Sequence, residues 1–195
     1  MKAPVQQKEL LEEGNYVATV YRIIYIGTVK GEYQGIPNEK FQVDITWELP
    51  TETKVWKEGE EAKPVVISKQ YTLSLGSKAN LRPIVEGIVG GMSDSEAVNF
   101  DLDEILGKSC LLNIGHGTTE SGKGYYKVTT SKLLKGMEPP KPFNEQKVLS
   151  FEKWDENFYL SLPDWLRTKI AETPEYKTLK GVETGEVKNT EDIPF

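Results

Sequence analysis

From residue 39 to residue 49 the chain alternates without a break. Phe41, Val43, Ile45, Trp47 and Leu49 are apolar, and Lys40, Gln42, Asp44, Thr46 and Glu48 are polar. A period of two gathers the five apolar side chains on one face of a half-buried strand, whereas a helix would scatter them. The strand signal recurs on both sides. Residues 14–29 (GNYVATVYRIIYIGTV) are dense in Val, Ile, Thr and Tyr and close on Gly27 and Gly31, as a long strand does. Residues 65–75 put Val65, Ile67, Tyr71, Leu73 and Leu75 on one face, after a charged excursion over 50–64. The period then changes. Leu81, Ile84, Val85 and Ile88 stand at i, i+3, i+4 and i+7 and the run stops at Gly90 and Gly91, which predicts one amphipathic helix. Pro83 is tolerated only in its first turn, so Asn80 is the expected cap. A further turn is expected over 101–106, where Asp101, Asp103 and Glu104 suit a helix N-terminus. Strand character returns over 108–114 and 125–134, joined by a loop at 116–124.

Three strands, a helix and two strands within about 120 residues are the element order of the five-stranded Greek-key barrel called the OB-fold. The expected fold class is therefore mainly β: a five-stranded OB-fold barrel with a helix between strands three and four. Element order fixes no pairing, so another small barrel or an α+β sheet competes with it. Pro139, Pro140 and Pro142 mark a linker, which sets the barrel domain at 1–137. Residues 161–171 read as a short helix with Leu162, Trp165, Leu166 and Ile170 on one side, and Thr173-Pro174-Glu175 as another helix start. Linker and short helices are thus expected over 138–179, and a disordered acidic tail over 180–195.

Charge and composition narrow the function. The 195 residues hold 24 Lys and Arg against 30 Asp and Glu, net −6, which excludes a uniformly basic coat for nucleic acid. Residues 138–195 carry −4 and residues 1–137 only −2, so a cationic groove requires segregated charge. The longest apolar run is four residues, far from the ~20 that cross a bilayer, and a cytoplasmic protein without membrane contact is expected. Cys110 and His116 are the single cysteine and histidine, so no internal disulfide or Cys/His zinc site can be assembled, and no catalytic triad or dyad is indicated beyond chance. The expectation is a protein without enzymatic activity, catalytic residue, metal or cofactor. The stretch Gly117 to Lys123 (GTTESGK) has the spacing of a phosphate loop, yet Gly124 stands where Ser or Thr should hold magnesium and strand composition follows where a helix should.

Aromatic and basic residues interleave along the strands, the combination that grips unpaired nucleic acid by base stacking and phosphate neutralisation. The candidate set is Tyr21, Arg22 and Tyr25 of the first strand, Lys30, Tyr33 and Lys40 around the first loop, Lys78 and Arg82 at the helix, and Lys123, Tyr125, Tyr126 and Lys127 of the last hairpin. Phe41 and Trp47 belong to an apolar face and are assigned to the core. At the other end, Glu191, Asp192, Ile193, Pro194 and Phe195 combine acids, a restricted backbone and a terminal ring beside the α-carboxylate, a peptide suited to an apolar pocket with a basic lip.

These five residues resemble the Asp-Asp-Ile-Pro-Phe terminus of bacterial single-stranded DNA-binding proteins, with only two acids adjoining Ile193. Residues 71–82 (YTLSLGSKANLR), Leu106-Gly107-Lys108-Ser109-Cys110 and the hairpin after them resemble phage-encoded single-stranded DNA-binding proteins, a likeness covering most of 14–135. The resemblance implies an OB-fold that binds single-stranded DNA with tolerance of sequence, in phage or prophage replication, recombination and repair inside a bacterial host cell. It also implies replication and recombination partners docking on the tail tip. The competing reading is an OB-like adaptor that binds proteins alone, and assembly as a homo-oligomer is left open.

Overall fold

A computed structural model describes residues 11–56 and 58–181. Six strands and five short helices follow one another: β1 (Gly14–Tyr33), β2 (Ile36–Lys54), β3 (Lys63–Thr72), α1 (Leu81–Val89), α2 (Asp94–Asn99), a 3-10 turn (Leu102–Ile105), β4 (Ser109–Thr118), β5 (Gly124–Ser131), β6 (Lys147–Leu149), α3 (Glu156–Ser161), α4 (Asp164–Ala171) and α5 (Pro174–Leu179). The protein is mainly β, built on one open, antiparallel sheet in the order β3-β2-β1-β4-β5, with β6 also paired to β1. No ladder joins β3 to β5 among the described residues. β1 turns into β2 through Gln34 and Gly35, both at positive φ (52° and 79°). A two-residue left-handed turn of this kind matches the twist of the strands it joins.

The chain divides into two compact units, and β1 and β2 contribute residues to both. Of the described residues, the first takes 11–23 and those between 44 and 148. Its buried residues include Ala18, Val20, Ile45, Trp47, Leu49, Ile67, Leu112 and Ile114 of the strands. α1 adds Leu81, Ile84, Val85 and Ile88, the four residues of its apolar stripe. Asn80 stands at the cap, and Gly90 ends the helix at φ 94°. Gly87 lets the helix lie directly on β5: a Cβ there would come within 2.2 Å of the Thr130 carbonyl oxygen, and the Thr130 hydroxyl donates to the Ile84 carbonyl at 2.6 Å. The expected turn at 101–106 is the 3-10 turn, with the Asp101 side chain accepting from the Asp103 N–H. α2 lies outside the sequence expectation. Its N-terminus is a capping box in which Ser93 and Glu96 satisfy each other's backbone N–H groups.

β2 departs most from expectation. Its whole central stretch from Val43 to Leu49 is buried, including Asp44, Thr46 and Glu48 on the polar side of the alternation. The reason is hydrogen bonding supplied from afar. The Glu48 carboxylate accepts the N–H groups of Phe143 and Asn144, both at 2.9 Å, and the Asn144 amide at 2.7 Å. Thr46 donates to Asp44 at 3.1 Å and meets the Ser68 hydroxyl at 2.8 Å, and Arg22 Nε donates to Thr46 at 3.2 Å. Buried polar groups survive when each is bonded, and this face is so arranged.

Of the described residues, the second unit takes Ile24–Val43 and 149–181. Ile24 and Ile26 are buried with Leu149, Phe158, Tyr159, Leu162, Leu166 and Ile170. The helix read over 161–171 begins only at Asp164, because Pro163 interrupts the pattern and caps α4, and α3 before it lies outside the sequence expectation. The restart fixes which side of α4 is buried. Leu166 and Ile170 face the core one turn apart, and Trp165 is 56% exposed rather than packed with them. α5 begins as its sequence suggests, with Pro174 at its first position and the Thr173 hydroxyl accepting from the Tyr176 N–H. It is clasped to β1. Gly27, at φ +104°, leaves room for Thr173 and Glu175, and the Glu175 carboxylate accepts from the Thr28 N–H at 2.9 Å and from the Thr28 hydroxyl at 2.5 Å.

Candidate nucleic-acid interface

Among the residues singled out from the sequence, those of the β4–β5 hairpin bring rings and cations together. The register sets Tyr125 opposite Gly117 and Lys127 opposite Gly115, so two glycines leave the neighbouring strand bare beside them. Tyr125 uses that space. A Cβ on Gly117 would lie 2.5 Å from its ring and 2.9 Å from the Lys127 stem, so ring and stem lie across the glycine backbone. Tyr125 remains 39% exposed. The Lys69 ammonium of β3 sits 5.2 Å from the ring centroid and donates to the Tyr126 carbonyl at 2.9 Å. Such a cation over a ring adds about 0.5–1 kcal/mol at an exposed site and fixes the ring's pose. Lys123 and Lys127 are exposed. The turn holding Lys123 is tight: its carbonyl accepts from the Thr119 N–H at 2.9 Å, and its N–H donates to the Thr119 hydroxyl at 3.0 Å. A strand, not a helix, follows Lys123, so the phosphate-loop spacing sits in a hairpin turn.

Tyr126 belongs to the same hairpin but does another task. Its hydroxyl accepts from the Leu11 N–H at 2.7 Å, and its ring lies 6.0 Å from that of His116. His116, expected in the loop, stands in β4; its Nε2 is 2.7 Å from the Leu11 carbonyl, and its N–H donates to Glu13 at 2.6 Å. The pair fastens the chain that leads into β1. This end of the unit also holds acids: burial first, then the carboxylates of Glu52 and Glu12, push the Tyr16 phenol above its ordinary value.

The remaining candidates disperse. Tyr21 and Arg22 lie in the first unit, the guanidinium 5.7 Å from the Tyr21 ring centroid and bonded to Thr46. Burial raises the Tyr21 phenol, with Arg22 opposing and Glu48 and Asp44 adding to the rise. Lys78 is exposed ahead of α1. Arg82 is a structural staple, donating to Glu86 at 2.7 Å, Asp94 at 2.5 Å and the Met92 carbonyl at 2.9 Å. Tyr25, Lys30 and Lys40 belong to the second unit. Tyr25 packs edge-on to Phe41 at 6.4 Å, and the two lysines are exposed. Tyr33 ends β1, with its side chain outside what is described. Glu191, Asp192, Ile193, Pro194 and Phe195 lie beyond the described residues.

Lys69 is absent from the sequence-derived set, although the sequence carried its signal. It occupies the apolar face of β3 between Ile67 and Tyr71, where a lysine needs a carbonyl and a ring to sit against. Among the described residues no three His, Cys, Asp or Glu side chains converge as a metal site requires. Burial pushes the Cys110 thiol up to about 12, so it is a packed, unreactive side chain at neutral pH. Among those residues, too, no helix is long and apolar enough to cross a membrane. Compared with known proteins, the chain matches no family model, no curated protein and no solved structure.

Proposed function

We propose that this protein binds single-stranded DNA with tolerance of sequence through its first unit, and recruits replication and recombination proteins through its C-terminal tip. One observation carries the binding reading: an exposed Tyr125 ring, laid across Gly117 under the Lys69 ammonium, with Lys123 and Lys127 beside it. A base stacks on such a ring whatever its identity, and the ammonium groups neutralise the phosphates that flank it. The strand order favours the finer fold reading. Joining the two ends of β3-β2-β1-β4-β5 produces the circular order of a five-stranded Greek-key barrel, and the Lys69 bond to Tyr126 spans those ends. α1 falls between β3 and β4, as the OB-fold reading requires.

The test is direct. Fluorescently labelled oligo-dT binds the full chain at low salt, and the logarithm of affinity falls linearly with the logarithm of salt concentration. No binding at low salt ends the reading. For the tail, deleting Ile193, Pro194 and Phe195 leaves oligo-dT affinity unchanged and abolishes capture of replication proteins; undiminished capture refutes the recruiting role. A protein-only adaptor draws on one observation, the outward Trp165 and Leu160 of the second unit, 56% and 54% exposed. A mixed-sequence single-strand binding assay separates the two readings.

A further inference from the structure

Trp47 is fully buried, whereas Trp56, in the connection between β2 and β3, is 50% exposed, and its neighbour Val55 is 51% exposed. An apolar pair held out on a charged loop contributes little to a core. The Lys54 ammonium stands over the Trp56 ring at 6.0 Å from its centroid, the same partnership of cation and ring that Lys69 makes with Tyr125. Topology places Tyr125 and the Lys54–Trp56 pair at one end of the strands that carry them. β1 begins at Gly14, which pairs with Ile114 near the end of β4, and β2 runs antiparallel to β1, so its last residues return to that level. The electrostatics agree, since Tyr16 of β1 feels both Glu52 of β2 and Tyr126 of β5. The loop's acids do not all face a ligand unopposed, because Glu60 is engaged by Lys63 at 3.7 Å.

We infer that Trp56, with Lys54, is a second stacking platform for the single strand, so that the bound chain spans the β4–β5 turn and the β2–β3 connection. This rests on the nucleic-acid reading and adds a residue that the candidate set lacks. An indole has the largest π-face available to a base, and an ammonium above its edge meets the adjoining phosphate.

The experiment uses the full chain and anisotropy of labelled oligo-dT. Trp56→Ala weakens affinity by roughly 5- to 150-fold, as the loss of one stacked base predicts. Trp56→Phe recovers most of that affinity, because a phenyl ring still stacks. Melting temperatures of both variants match the unaltered chain, which separates a ligand contact from a structural one. Oligo-dT also quenches tryptophan emission in the unaltered chain, and that quenching is reduced in Trp56→Phe. If Tyr125→Ala loses affinity and Trp56→Ala does not, the nucleic-acid reading stands and the role of Trp56 is overturned. If the unaltered chain does not bind, both fall together.

Discussion

Glu48 shows how much can depend on one carboxylate. It is fully buried in β2, and its two oxygens accept three N–H donors from Phe143 and Asn144. Glu48→Gln keeps the shape and turns one acceptor oxygen into a donor that faces another N–H. The expected cost is about 1.5–3 kcal/mol, the range for a hydrogen bond to a charged group, read as a lower midpoint in urea with an unchanged slope. An unchanged midpoint would mean that the segment around Asn144 is held by other contacts. This burial was not legible in the sequence. Strict alternation marks Asp44, Thr46 and Glu48 as a solvent face, and the groups that cover Glu48 lie 95 and 96 positions further along. Lys69 is the opposite case, a lone cation on an apolar face whose oddity was readable although its partner was not.

Elements whose signals are local were read well, and those defined by distant contacts were not. The α1 stripe with its glycine stop and the Pro174 start of α5 each need only a few neighbouring residues, and both are where the pattern places them. α2 had a readable signal in Ser93 and Glu96, but it buries no residue, so hydrophobic period alone could not reveal it. The helix read over 161–171 starts too early because Leu162, Leu166 and Ile170 keep a helical spacing across Pro163, and α3 over Glu156–Ser161 lies outside the sequence reading. For the candidate site, the hairpin and its rings were legible, whereas the division of labour between Tyr125 and Tyr126 required the β4–β5 register. That register yields a prediction about β4. The Gly117 backbone suits any residue, so Gly117→Ala strains no torsion, yet its methyl group would lie 2.5 Å from Tyr125 and drive the ring away. Oligo-dT affinity should fall about 5- to 150-fold, with stability altered by no more than about 0.5 kcal/mol. Normal affinity in a folded Gly117→Ala protein would remove Tyr125 from the interface.

For the molecule as a whole, the proline-rich stretch after Met137 is not expected to be a place where the chain can be cut. Beyond it lie Phe143 and Asn144, which satisfy Glu48 in the first unit, and Leu149 with the α3 and α4 residues that bury Ile24 and Ile26 in the second. A truncation after Met137 is therefore expected to aggregate or melt without a cooperative transition, while a truncation after Gly181, which removes none of these groups, melts as the full chain does. Circular dichroism melts of the two truncations check this, and a cooperative, full-chain melt from the shorter one would refute it. The second unit's composition also dictates an order of events during synthesis. At about 5–20 residues per second, the stretch between Ile26 and Ile170 takes roughly 7–30 s to translate. For that interval the nascent hairpin displays bare isoleucines to its surroundings, so the yield of folded protein depends on what shields them until the last helices emerge.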